Sequence, residues 1–429
     1  MSAPLPKAEV PRVHTLGNGV RVVCDPMPGL QTVALSVVAG RGARFEDAAR
    51  SGWSHLLEHM VFKGAGGRSA RDIVEVIEAE GGQLNAATGY ERTSFQLRAL
   101  AGHMPVGMAV IADLVFDPVI DAAELRREKD VIAQEIAEAA DMPDDLVFDI
   151  AQTAAFGDHP LGRPILGTVE AIGAATRKEL AAFRAGLYAP DRIVVSAAGC
   201  IDEDELLSLT ERLFGQVTSH TLWPEPQAAT FEGRLETRQS RLEQAHVVFL
   251  LPAFGVTDPD YFALRIFAEA LGGGMSSRLF QEAREKRGLA YNIDAYADTY
   301  VDTGVLGVYA GCAAKDAAET AKVTAAEIRA LATAIDGPEL ARCRAQLKAS
   351  LFMGRESALS RAEHAAGQVL TFDRLLPPQE IAAAIEAVGA ADIARVGERL
   401  LSSGRCAGAV LGPRAALSAG AEFRHAVFG

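Results

Sequence analysis

The feature that most constrains the fold is a recurrence. The order of strand-like and helix-like segments in the first half of the chain comes back in the second. Alternating Val20–Val23 and Thr32–Val38 read as strands, and Ser51–Phe62 as a helix with Ser51 as its N-cap. A helix over Arg71–Glu80 stops at Gly81-Gly82, and a strand pair follows at Gln83–Ala87 and Thr93–Leu100. In that pair Phe95, Leu97 and Ala99 share one face, opposite Ser94, Gln96 and Arg98. Helices are expected near 103–115, 121–140 and 176–186, with a loop-rich stretch at 157–167 and a strand at Ile193–Ala198. The second half repeats the theme with strands at 245–251, 289–296, 305–312 and 406–411. Its helices are expected near 261–271, 315–334, 337–356 and 390–401. The helices starting at 53 and 261 lie about 208 residues apart, the strands at 193 and 406 about 213. Two copies of one α+β unit follow, each a mostly antiparallel sheet covered by helices. The stretch 216–234, with Trp223-Pro224-Glu225-Pro226, reads as the linker between domains at 1–215 and 235–429.

The 429 residues suffice for such domains, each with its own core. A net charge of -14 argues against nucleic acid as a partner, because phosphate binding draws on Lys and Arg. It suits a basic partner, although acidity also serves solubility alone. Five cysteines, far apart and without a CxxC, argue against a disulfide framework and a cysteine-held zinc. The N-terminus lacks an apolar signal core and no long apolar run occurs, so a cytoplasmic location without a membrane span is expected.

Chemistry concentrates at His55-Leu56-Leu57-Glu58-His59. On a helix, residues four apart lie on one face, so both imidazoles can reach one ion. Neutral imidazole suits zinc, and a carboxylate beside the pair can take a proton from water that the ion acidifies. Paired histidines also occur by chance on solvated helices. Here the remaining helix positions are apolar, so three polar groups on it need a reason. A third ligand must come from elsewhere. The helix Glu124–Glu138 offers Glu124, Glu128, Asp130, Glu135 and Glu138; Glu128 and Glu135 share a stripe with Val131 and Ile132. Periodicity does not choose among these carboxylates.

Several ordered motifs carry a resemblance: Leu16–Gly19, Gly52–Gly64 (GWSHLLEHMVFKG), Gly82–Ala86 (GQLNA), Glu128–Ile136 (EKDVIAQEI), Pro160–Gly167 (PLGRPILG), Leu271–Phe280 (LGGGMSSRLF) and Arg284–Tyr291 (REKRGLAY). Along nearly its whole length the chain resembles the pitrilysin-type inverzincin metallopeptidases, family M16. The likeness is to the half-length branch of mitochondrial processing peptidase and its bacterial relatives. It implies His55, His59 and Glu135 as ligands of one zinc per chain, Glu58 as general base, and Glu128 as a carboxylate supporting the site. It also implies that Asn85 and Ala86 lie on an edge strand that pairs with substrate backbone, and that Arg284 and Tyr291 hold substrate carbonyls. An ordinary strand, a surface arginine and a core tyrosine are the plain alternatives for these four. The triple glycine 272–274 reads as a helix-ending turn. The family encloses peptides in a chamber of four such units, which implies a homodimer with Arg284 and Tyr291 reaching the partner's site. The expected function is zinc endopeptidase action on unfolded peptides or presequence-like segments. A catalytically silent scaffold or assembly subunit of the same family, and a metal hydrolase of other small substrates, are the alternatives.

Overall fold

A computed structural model describes residues 11–218 and 223–429. The first ten residues, read above for a signal, and 219–222 within the linker lie outside the described residues. The described chain forms two compact units.

The first unit holds a six-stranded sheet: β1 (Arg12–Thr15), β2 (Arg21–Pro26), β3 (Thr32–Ala39), β4 (Gln83–Thr88), β5 (Thr93–Leu100) and β6 (Ile193–Gly199), in the order β1-β2-β6-β3-β5-β4. Only β2 and β6 run parallel. In β5 the predicted alternation appears in space: Phe95, Leu97 and Ala99 are buried, while Arg98 is exposed. Strand β6 is buried at every position, because both faces of the sheet are covered. On one face, helices α1 (Trp53–Val61), α2 (Ala70–Glu78), α3 (Met104–Phe116) and α4 (Ala122–Asp141) contribute to a core with Val22, Val37, Leu35 and Leu97.

The second unit holds α5 (Pro143–Phe156), strands β7 (Leu235–Gln239), β8 (Gln244–Ala253), β9 (Ala290–Thr299), β10 (Gly304–Ala313) and β11 (Ala407–Gly412), and helix α6 (Tyr261–Gly272). Its order is β9-β10-β8-β11-β7, with only β7 and β11 parallel. Read from the other end, β7-β11-β8-β10-β9 matches β2-β6-β3-β5-β4 of the first sheet strand for strand and direction for direction. The duplicated, mostly antiparallel α+β architecture is therefore present, and of the strands in the two large sheets β1 alone, among the described residues, lacks a counterpart. The glycine turn after α6 answers to packing. A Cβ on Gly272 would come within 2.3 Å of the Ala295 amide nitrogen in β9.

The domains do not divide at a single boundary. The first unit comprises Met1–Ile136, Ile165–Pro226 and Phe352–Pro377; the second comprises Ala137–Pro164, Gln227–Leu351 and Pro378–Gly429. Two helices outside the predicted pattern are the cause. Helix α5 lies in the first half of the sequence but packs on β8 and β11. Helix α7 (Ala358–Phe372) lies in the second half but packs on β3 and β6. There Ala365, Ala366 and Val369 bury Val23, Val38 and Val194, the side of the first sheet opposite α1. Arg361 also bonds the carboxylate of Asp25, which is 1% exposed, with Nε at 2.7 Å. One of the crossings between units falls between Pro226 and Gln227, inside the stretch read as a linker. Just before it, Trp223 donates to the Phe45 carbonyl at 2.8 Å, and Glu225 accepts from Arg41 and Arg192.

Candidate metal centre

Helix α1 presents the His-x-x-Glu-His segment because its other side is core. Trp53, Leu56, Leu57, Met60 and Val61 are all at most 3% exposed. Its start differs from the expectation. Ser51 does not cap it; the N-cap is Gly52, at φ +88°. The cap comes from upstream, where the buried carboxylate of Glu46 accepts from the amides of Gly52 (2.8 Å) and Ser54 (2.6 Å). A carboxylate at a helix N-terminus satisfies free N–H groups and complements the helix dipole. Gly52 also abuts Gly167, where a Cβ would meet the Ser51 carbonyl at 2.2 Å. That close approach explains the glycine ending the Pro160–Gly167 motif.

Helix α4 runs across this face. Of its carboxylates, Glu128 and Glu135 point to α1, with Ile132 buried beside them; Val131, expected on the stripe, is exposed. Glu135 Oε2 lies 3.6 Å from His59 Nε2 and 3.9 Å from His55 Nε2. That oxygen is buried and has no hydrogen-bond partner. Two atoms held by one tetrahedral zinc at about 2.0–2.1 Å stand roughly 3.3 Å apart, so the three donors fit an ion between them. Among the described residues this is the one group of three or more His, Cys, Asp or Glu side chains with metal-holding geometry.

Electrostatics agree with that fit. Burial, then the neighbouring His59, pushes the His55 pKa down to about 4 against the pull of Glu135, so its imidazole is neutral at pH 7. His59 Nδ1 lies 3.0 Å from Glu128 Oε2. A carboxylate oxygen accepts, so Nδ1 is the donor to Glu128, which leaves Nε2 as the ring nitrogen on the Glu135 side. Lys63 Nζ, 2.7 Å from Glu128 Oε1, balances the charge of a carboxylate that is only 4% exposed. Glu58, on the same helix, accepts from the Thr88 hydroxyl at 2.6 Å.

The other predicted residues fall in two places. Asn85 is exposed and Ala86 buried on β4, the last strand at its edge of the first sheet. Arg284 and Tyr291 are neighbours in the second unit. The guanidinium carbon lies 4.5 Å from the Phe280 ring centre and 5.6 Å from that of Tyr291. Tyr291 is 78% exposed, so the core alternative is excluded. Glu46, Lys63 and Thr88 escaped sequence reasoning. Lys63 alone had a local signal, four residues beyond His59, just past the end of α1.

Comparison with known proteins agrees with this architecture. Residues 21–169 match the family model described as insulinase (peptidase family M16), and 174–347 the one described as peptidase M16 inactive domain. An uncharacterized zinc protease of Mycobacterium tuberculosis is 36% identical over 416 residues, covering 95% of this chain and 94% of the relative. One from Bacillus subtilis is 37% identical over 351 residues, covering 81% and 85%. A solved protease from Helicobacter pylori shares the fold with a TM-score of 0.87 at 22% identity, covering 94% of this chain and 99% of that one. The chain belongs to peptidase family M16. Within it the chain is a half-length member, and its relatives carry the name zinc protease along nearly the entire match.

Proposed function

We propose that the protein is a zinc metalloendopeptidase that hydrolyses unfolded or presequence-like peptides. The convergence of His55, His59 and the unpartnered Glu135 oxygen, with Glu58 on the same helix, carries this reading. His55, His59 and Glu135 hold one ion per chain, and Glu128 fixes the tautomer of His59. Zinc, when bound, supplies a Lewis acid and makes water acidic enough to be deprotonated near neutral pH. Glu58 takes the proton of the attacking water and returns it to the amine of the leaving peptide. The free edge of β4, at Asn85 and Ala86, binds substrate as an added strand and so reads main chain more than side chains. This favours flexible segments over folded proteins.

A homodimer supplies the four units of an enclosing chamber, and Arg284 with Tyr291 steadies substrate carbonyls at the partner's site. The cysteines, all free, support a reducing, cytoplasmic setting.

Metal analysis with peptide-library cleavage tests the reading. Wild type is expected to bind one zinc per chain and cleave, to lose activity with chelator and to regain it with zinc. Glu58→Gln is expected to keep zinc and lose turnover. A zinc-loaded wild type that cleaves nothing across a diverse library would refute the reading in favour of a silent scaffold subunit. Mixed dimers of Glu58→Gln and Arg284→Ala chains should retain one proficient site; dimers as inactive as either parent would exclude sharing between chains.

A further inference from the structure

A general base works only if its carboxylate is aimed, and a glutamate side chain has three torsions with which to miss. No side chain of α1 or α4 is bonded to Glu58. Its hydrogen-bond partner is Thr88, whose Oγ1 donates to Glu58 Oε2 at 2.6 Å. The carboxylate can only accept, so the threonine proton is committed to it, in a charge-assisted bond. The same hydroxyl lies 3.5 Å from the Ser54 carbonyl, placing it between the base and the first turn of α1.

Thr88 is well suited to hold a position. A β-branched side chain has restricted χ1 freedom. Its backbone is paired in register with Thr93, which is fully buried and donates its own hydroxyl to the Arg41 carbonyl at 3.1 Å. Thr88 is also the last residue of β4, two beyond Ala86. Two residues of strand span about 7 Å, so a peptide laid along that edge ends within a residue or two of the base.

We infer that Thr88 is the positioning residue for Glu58, so that one six-residue strand both aligns the peptide and aims the base. The inference rests on the peptidase reading above but makes a separate structural claim. A threonine that merely tied strand to helix would affect folding and metal content; one that aims the base affects turnover with both intact.

The test compares zinc-loaded wild type, Thr88→Val and Thr88→Ser. Valine keeps the shape and removes the proton; serine restores it. Thr88→Val is expected to lower kcat on the order of 10²-fold, the scale of a misplaced catalytic group, with KM changed by less than about threefold. Zinc content and melting temperature should hold, and Thr88→Ser should recover most of the loss. Crystal structures supply a readout independent of activity: the Glu58 carboxylate should leave its place in Thr88→Val and return in Thr88→Ser. An unchanged kcat in Thr88→Val, a loss that tracks lost zinc, or a carboxylate that stays in place would overturn the inference. If zinc-loaded wild type cleaves no peptide, the peptidase reading fails and the carboxylate position alone decides the role of Thr88.

Discussion

Glu128 holds His59 from behind: its Oε2 lies 3.0 Å from Nδ1, on the side of the ring away from Glu135. Its other oxygen is occupied by Lys63. Such a carboxylate fixes ring orientation and raises the basicity of the opposite nitrogen. Glu128→Gln removes the charge while keeping the shape. Zinc affinity, measured by chelator competition, is expected to fall about 10- to 100-fold, as such support partners typically contribute. Unchanged affinity would show that His59 needs no such partner.

Glu46 caps α1 from outside the helix, with two buried amide bonds to Gly52 and Ser54. Glu46→Ala leaves those amides without an acceptor. The expected cost is about 1–2 kcal/mol in urea unfolding, the upper range for loss of a helix cap. Because His55 follows Ser54 directly, zinc affinity should weaken as well. Ser51→Ala should leave the cap intact, since Ser51 makes no capping bond. Equal losses in the two variants would refute the assignment.

Arg361 and Asp25 join α7 to the first sheet across 336 residues of sequence. Arg361→Met strands a buried carboxylate, which typically costs about 3–5 kcal/mol. A fragment ending at residue 215 lacks α7 and exposes Val23, Val38 and Val194. It should be aggregation-prone and lack a cooperative unfolding transition. A stable, cooperative fragment would show that the first unit does not depend on that helix.

Thiol reactivity should separate one cysteine from four. Burial pushes Cys24, Cys312 and Cys343 up to about 11 and raises Cys406, while Cys200 is exposed. At pH 8 the buried four are protonated as well as shielded. A thiol reagent should modify one cysteine rapidly in the folded protein and all five after denaturation. Two or more fast thiols in the native state would contradict this burial.

What could be read along the chain was local. The faces of α1, the alternation of β5 and the stripe through Glu128, Ile132 and Glu135 are periodicities of 3.6 or 2 residues, set by neighbours a few positions apart. The duplication was legible for the same reason, since each strand and helix declares itself twice. The arrangement of Glu135 toward both histidines then needed only two helices crossing.

Tertiary structure decided the rest through partners far apart in sequence. Helices α5 and α7 carry ordinary amphipathic patterns, and nothing in such a pattern names the sheet it will cover. Their reciprocal exchange overrides the apparent boundary at the linker. The cap of α1 passed from Ser51 to Glu46 because φ +88° at Gly52 and its contact with Gly167 redirect the chain before the helix. Lys63 meets Glu128, and Thr88 meets Glu58, only once helix, helix and strand have packed. Sequence by itself determined which side chains a metal site could draw on. Packing alone chose the residues that hold them in place, because hydrogen bonds between distant segments leave no periodic trace in the chain.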